Sequence, residues 1–143
     1  GLWAVDILSE DMIPKRIDTV GSGTGLVADV EGITIYAGKA PGEGYLLASA
    51  QGADRYVVYD RKPPHVALGV FKIGTSADGK VDGTSVTDGI DASSASLPGF
   101  PAGIFVVQDD ANPVPQVDQN FKIVDWRDVE TAAPSPPARC STC

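Results

Sequence analysis

The sequence is poor in the residues on which most familiar catalytic machinery depends. It has one histidine, His65, and two cysteines, Cys140 and Cys143, spaced C-x-x-C in the C-terminal tail. A Ser-His-Asp triad would have to use His65, which follows Pro63-Pro64 at a strand entrance and reads as a loop or edge residue. A histidine-rich zinc site is excluded by count, and one C-x-x-C supplies half of the four ligands structural zinc takes. The pair reads as tail thiols or a local disulfide. Basic residues are also scarce. Against 19 Asp and Glu there are 11 Lys and Arg, giving a net charge of −8 and a pI near 4.4. That balance argues against nucleic acid and anionic membranes as partners, since both need a basic surface. No apolar run approaches the roughly 18 residues of a membrane span, and no amphipathic helical period extends beyond a turn or two. The chain opens on Gly1-Leu2-Trp3-Ala4-Val5 inside a strand-like run, so a processed chain or a fragment is expected.

What is present is turn chemistry and short apolar runs. Sixteen glycines and 11 prolines imply many turns, and an apolar content of 43% is enough for an ordinary core. Strands are predicted at Leu2–Ile7, Ile17–Val20, Ile33–Ala37, Tyr45–Ala50, Tyr56–Asp60, Val66–Ile73, Gly89–Ala92, Ile104–Gln108 and Phe121–Trp126. Continuous runs such as Tyr45-Leu46-Leu47-Ala48 and Ile104-Phe105-Val106-Val107 suit strands buried on both faces. A weak repeat of about 60 residues follows. Glu31-Gly32-Ile33 recurs as Asp88-Gly89-Ile90, Gly44–Ala48 as Gly103–Val107, and Tyr56–Asp60 as Phe121–Asp125. Repeated small sheets of this size are the sequence sign of β-propeller blades, so an all-β fold is expected, with about two blades and part of a third. Propellers have about four blades or more, so the chain cannot close a ring alone. The folded part is expected to span 1–130. Residues 131–143, rich in Pro, Ala and Ser, read as a tail or linker.

Among polar constellations, Gly21-Ser22-Gly23-Thr24-Gly25 lacks the Lys-Ser/Thr of a phosphate loop and reads as a flexible turn. The acids carry more information. Asp29 and Glu31 lie two apart before a strand, where alternation sends i and i+2 to one side. Two such carboxylates repel unless a cation lies between them. Asp78, Asp82, Asp88 and Asp91 crowd one segment with Gly79, Gly83 and Gly89, whose carbonyls would add oxygen donors. An all-oxygen set without His or Cys favours a hard cation such as calcium. The EF-hand template fails, because Lys80 and Gly89 stand where its third and twelfth ligands belong. On spacing alone, solvated turn acids are as good a reading as a metal site. The third cluster, Gln108-Asp109-Asp110-Ala111-Asn112, closes a buried-looking strand and reads as either a polar turn or a ligand rim.

The segments ADVEGITIY (28–36), GYLLASAQG (44–52), RYVVYDRK (55–62), DGTSVTDGIDA (82–92), GIFVVQDDAN (103–112) and QNFKIVDW (119–126) together resemble the β-propeller phytases, in that family's order. The opening GLWAVDI also resembles a strand of the family. The resemblance implies a six-bladed propeller whose top channel holds several calcium ions. It implies calcium-dependent hydrolysis of phosphomonoesters on phytate (myo-inositol hexakisphosphate), a metal-held water attacking phosphorus. On matching positions, Asp29 and Glu31 would be channel calcium ligands beside the substrate, with Asp82 and Asp88 on the same rim. Asp109, Asn112 and the carbonyl of Gly83 would form a structural calcium site. The family often has Glu where Ala111 stands, so Asp110 is an alternative donor there. The family's phosphate-holding lysines, arginine and tyrosine have no match in this chain, so these 143 residues alone are expected to be unstable and inactive. A secreted or periplasmic monomer is implied for the full-length parent, with calcium phytate as its small-molecule partner. The rival reading is a non-catalytic, calcium-stabilised propeller module with a binding or structural role.

Overall fold

The computed structural model describes residues 1–116 and 118–133. They form nine strands, β1 (Leu2–Ala4), β2 (Lys15–Asp18), β3 (Val30–Ala37), β4 (Gly44–Ala50), β5 (Arg55–Asp60), β6 (Ala67–Phe71), β7 (Ile90–Ser93), β8 (Ile104–Asp109) and β9 (Asn120–Asp125), followed by one helix, α1 (Trp126–Ala132). All nine overlap the predicted strands. The architecture is all-β, with every pairing antiparallel between sequence neighbours. β1 and β2 form a two-stranded sheet, β3-β4-β5-β6 a four-stranded meander, and β7-β8-β9 a three-stranded one.

The repeat is visible in this topology, since β3, β4 and β5 correspond in order to β7, β8 and β9. A shared constraint sits before each second strand. Gly44 (φ +120°) and Gly103 (φ +92°) adopt backbone that L-residues rarely enter. A Cβ there would collide with the carbonyl of Tyr36 on β3 or of Ser93 at the end of β7. Only glycine lets the chain turn back so tightly.

The two inner strands of the four-stranded sheet, β4 and β5, are buried on both faces, as the unbroken apolar run of β4 predicts, while β3 keeps one face exposed at Ile33 and Ile35. Period-two alternation divides the sheet's buried residues between two cores. Leu47, Tyr56, Val58 and Phe71 face Phe105 and Val107 of β8 and Trp126, Val129 and Ala133 of the helical end. Leu46, Ala48, Ala50, Val57 and Tyr59 face the other way, onto Leu2, Leu26 and the half-buried Ile17. Phe71, Phe105 and Tyr56 meet tilted or edge-on at 5.1–5.6 Å between centroids, a favoured aromatic geometry.

Asp125 caps α1 by accepting from the Arg127 amide at 2.9 Å. The first helical residue, Trp126, is 1% exposed and lies flat on Tyr36, centroids 3.5 Å apart. The helix runs past the expected edge at Glu130, and Ala133 is still in the core. The rest of the expected tail, with Cys140 and Cys143, lies outside the described residues. No helix among the described residues is long and apolar enough to cross a membrane.

Two predicted strands are trimmed by local side-chain bonding. Asp6 accepts from the Leu8 amide at 3.0 Å, and its carbonyl accepts from Ser9 at 3.2 Å, so the chain turns and β1 stops at Ala4. Asp18 accepts from the Thr19 amide at 2.7 Å and from Ser22 Oγ at 2.7 Å, so β2 ends there instead of reaching Val20. Short polar side chains compete with the ladder for backbone donors.

Candidate functional site

The predicted acids gather at one end of the sheets. Asp29 and Glu31 are at the start of β3, Asp82 and Asp88 in the segment between β6 and β7, and Asp109 closes β8. Hydrogen bonds tie these elements together. The Gln51 amide donates to the Asp29 carbonyl at 2.9 Å, and its side-chain Nε2 donates to Asp88 Oδ1. The Asp88 amide donates to Gln108 Oε1 at 2.9 Å. Gln51 thus bridges Asp29 and Asp88 across 59 positions of sequence. Asp29, Glu31 and Asp88 are all solvent-exposed. The β3–β4 register shifts between Val30 and Ile33, so simple alternation does not govern Glu31.

Residues 82–89 are threaded against the four-stranded sheet by buried hydroxyls. The Tyr56 hydroxyl lies 2.8 Å from Thr84 Oγ1 and 2.7 Å from Thr87 Oγ1, and Ser49 Oγ donates to the Thr87 carbonyl at 2.8 Å. Burial pushes the Tyr56 pKa up despite those bonds. Within the segment, Val86 takes φ +45°, unusual for a β-branched residue, and its amide is held by Asp54 Oδ1 at 2.8 Å. Sparsely populated backbone of this kind concentrates at functional sites.

Asp109 and Asn112 come together as expected, but Asp82 joins them instead of Asp29, Glu31 and Asp88, and a cation sits among the three. It is the ammonium of Lys122. Its Nζ lies 2.6 Å from Asp82 Oδ1, bonds Asp109 Oδ2, and lies 3.3 Å from Asn112 Oδ1. The four residues are buried: Asp82 is 8% exposed, Asp109 0%, Asn112 6% and Lys122 7%. Among the described residues, Asp82 Oδ1 is met by the Lys122 ammonium as an ion pair and by no hydrogen-bond donor. Asp109 also accepts from the Ser85 amide at 2.9 Å, the Asp82 amide donates to the Val114 carbonyl at 3.0 Å, and the Val114 amide donates to Asp82 Oδ2 at 3.3 Å. Burial works against the Lys122 charge, but Asp109 and Asp82 outweigh it and its pKa rises. The Lys122 contact, opposed by burial, holds Asp82 below the usual carboxylate range.

Sequence reasoning missed Lys122. The signal was its place between Phe121 and Ile123, which puts it on the opposite face of β9. Apolar patterning turns that face outward, whereas in fact Phe121 is 71% and Ile123 59% exposed. Asp18 was missed as well. The signal was an acid followed by Thr19, Ser22 and Thr24. Its carboxylate accepts from Ser22 Oγ, Thr24 Oγ1 and Tyr59 OH at 2.6–2.7 Å, so the Gly21–Gly25 turn is pinned by an acid. His65 sits in the β5–β6 turn at φ +59°, its Nδ1 3.2 Å from the Asp60 carbonyl, in keeping with a loop role. Asp78 is a turn acid, bonded to Ser76 Oγ at 2.8 Å and the Lys80 amide at 3.2 Å. Asp91 accepts from Thr34 Oγ1 at 2.8 Å, and Asp110 from Gln119 Nε2.

Oxygen donors meeting at a point already held by an ammonium fit a hard cation in chemistry. Among the described residues, however, no three acidic, histidine or cysteine side chains converge. Asp29, Glu31 and Asp88 would therefore need further donors to enclose a metal. A cleft of about 1100 Å³ lies at the opposite end of the sheets, lined by Tyr36, Lys39, Glu43, Lys62 and Glu130 among others, and includes none of the predicted acids.

A sequence model of the family described as Phytase matches residues 1–137. A curated 3-phytase from Bacillus subtilis (strain 168) is 48% identical over 113 residues, covering 76% of this chain and 28% of that protein. The chain thus spans little more than a quarter of the length of that relative. With the match covering nearly every residue, the chain belongs to the phytase family.

Proposed function

We propose that this chain is part of a calcium-dependent phosphomonoester hydrolase that acts on phytate. The observation that carries the reading is a family match across 1–137 that includes an end of the sheets dense in oxygen donors. In this reading the architecture is a six-bladed β-propeller. The β3–β6 sheet is one blade, β7–β9 three strands of the next, and β1–β2 an outer pair of the one before. The two-sided burial of β4 and β5 supports such stacking. The parent is a secreted or periplasmic monomer.

Phytate carries many negative charges, and a protein of net charge −8 repels it. Calcium, when bound, supplies the positive charge that offsets both partners and makes water a better nucleophile. Asp29, Glu31 and Asp88 are exposed at the acidic end, where they would hold calcium on the substrate side together with donors from other parts of the protein. Asp82, Asp109, Asn112 and the Gly83 carbonyl would form the structural site. Gln51 orients the substrate side by joining the backbone of Asp29 to the carboxylate of Asp88. The Tyr56–Thr84–Thr87 hydroxyls fix the segment that carries Asp82 and Asp88.

The test is phosphate release from calcium phytate by the full-length protein and its Asp29→Ala variant. Loss of a charge-holding group at a phosphoryl site is expected to lower the rate on the order of 100-fold with the melting curve unchanged. Equal rates would remove Asp29 from the mechanism. No release by the unaltered protein would favour a non-catalytic module.

A further inference from the structure

We infer that Lys122 is the built-in counter-ion of the Asp82–Asp109–Asn112 cluster, and that a divalent cation enters this cluster only by displacing the Lys122 ammonium. The inference rests on the calcium part of the reading above. It adds a residue that the acidic motifs do not contain.

The geometry leaves one place for one cation. Lys122 Nζ touches both carboxylates and the amide oxygen, and its side chain is 6% exposed. A divalent ion bound by the same oxygens would lie against the ammonium, at a distance where like charges repel strongly in a poorly solvated site. The charge count favours exchange over coexistence. Two carboxylates with one ammonium leave one negative charge, two with a divalent ion leave none, and all three leave one positive charge buried. The cluster is also not sealed. Asn112 lines an open surface cleft with Asp110, Asp118 and Gln119, an acidic approach on one side of the ammonium. Lysine is a point charge on a flexible stem of four carbons, which suits it to leave without moving β9.

An internal cation has two consequences. Without metal the carboxylates are already paired, so this corner of the fold does not depend on calcium. With metal, binding energy is spent on expelling Lys122, so apparent affinity is lower than the oxygens alone would give.

The test is a calcium titration of the chelator-stripped full-length protein, following melting temperature and bound calcium, for the unaltered chain, Lys122→Met and Lys122→Met/Asp109→Asn. The Met variant keeps the stem and removes the charge. It is expected to melt lower than the unaltered protein without calcium, to gain more from calcium, and to bind one ion about tenfold more tightly or better. The double variant, with one carboxylate neutralised, is expected to lose that extra gain. An equal or smaller calcium response in Lys122→Met would overturn the inference. So would failure of that variant to fold at saturating calcium, since the ion could not then replace the ammonium. A response seen only in Lys122→Met supports it even where the unaltered cluster takes up no calcium. Phosphate release by the unaltered protein reports on the proposed function separately.

Discussion

Two buried acidic sites in this chain solve the same problem differently. Asp18 is a single carboxylate closed by neutral donors: the Thr19 amide and the hydroxyls of Ser22, Thr24 and Tyr59. Asp82 and Asp109 are two carboxylates closed by one ammonium. A lone carboxylate accepts about four hydrogen bonds, and uncharged donors can satisfy it. Two that share a site repel, and a cation is needed to hold both ionised. The Asp18 cluster is local in sequence except for Tyr59, while the second draws on residues from Asp82 to Lys122. Local neutral donors build a turn; a distant cation ties a segment to a strand.

The comparison can be broken most forcefully at Asp109. Asp109→Ala leaves the buried ammonium with one carboxylate and the Ser85 amide without its acceptor. Removing one partner of a buried ion pair costs about 3–5 kcal/mol, which chemical denaturation of the full-length protein would register. Asp18→Asn should cost less, about 1–3 kcal/mol, because an amide presents hydrogens to some of the donors now aimed at oxygen. A much larger loss there would mean that neutral donors do not suffice.

The Asp18 difference should also vanish in acid. Burial opposes its charge, but the bonds from Ser22, Thr24, Tyr59 and Thr19 outweigh it and hold its pKa below the ordinary aspartate value. A carboxyl lowered on folding contributes stability that is fully present above its unfolded pKa of about 3.9. That contribution is lost as pH falls through the lower folded value. Melting curves of the two proteins should therefore stay apart at neutral pH and converge below about pH 4. The smallest effect is expected at the exposed Asp78–Lys80 pair, 3.2 Å apart, where Lys80→Ala should leave the melting midpoint unchanged within error.

Much of the fold was legible because its information is local. Runs such as Leu46-Leu47-Ala48 announced two-sided burial, and the acid-Gly-Ile repeat announced β3 and β7. The acidic end was legible from Asp29, Glu31, Asp82, Asp88 and Asp109, which the topology does bring to one end. Asp109 and Asn112 were expected together, but neither Asp82 as their neighbour nor Lys122 as the occupant was. Lys122 was illegible because its role depends on Asp82, 40 positions away, and on β9 turning its polar face inward. Strand ends at Ala4 and Asp18 were misplaced because Asp6 and Asp18 bond their own neighbourhood. Propensity does not describe that competition.

The division of β4 between two cores has a consequence for how this sequence tolerates length changes. Leu46 and Leu47 are adjacent, yet each feeds a different core. One residue inserted ahead of them within the strand would send each to the wrong side and scramble both interiors together. The turn at 38–43 has no such double duty. An insertion there would lengthen a loop and leave the pairing of β4 in place, while the strand it leads into must keep its reading frame in space.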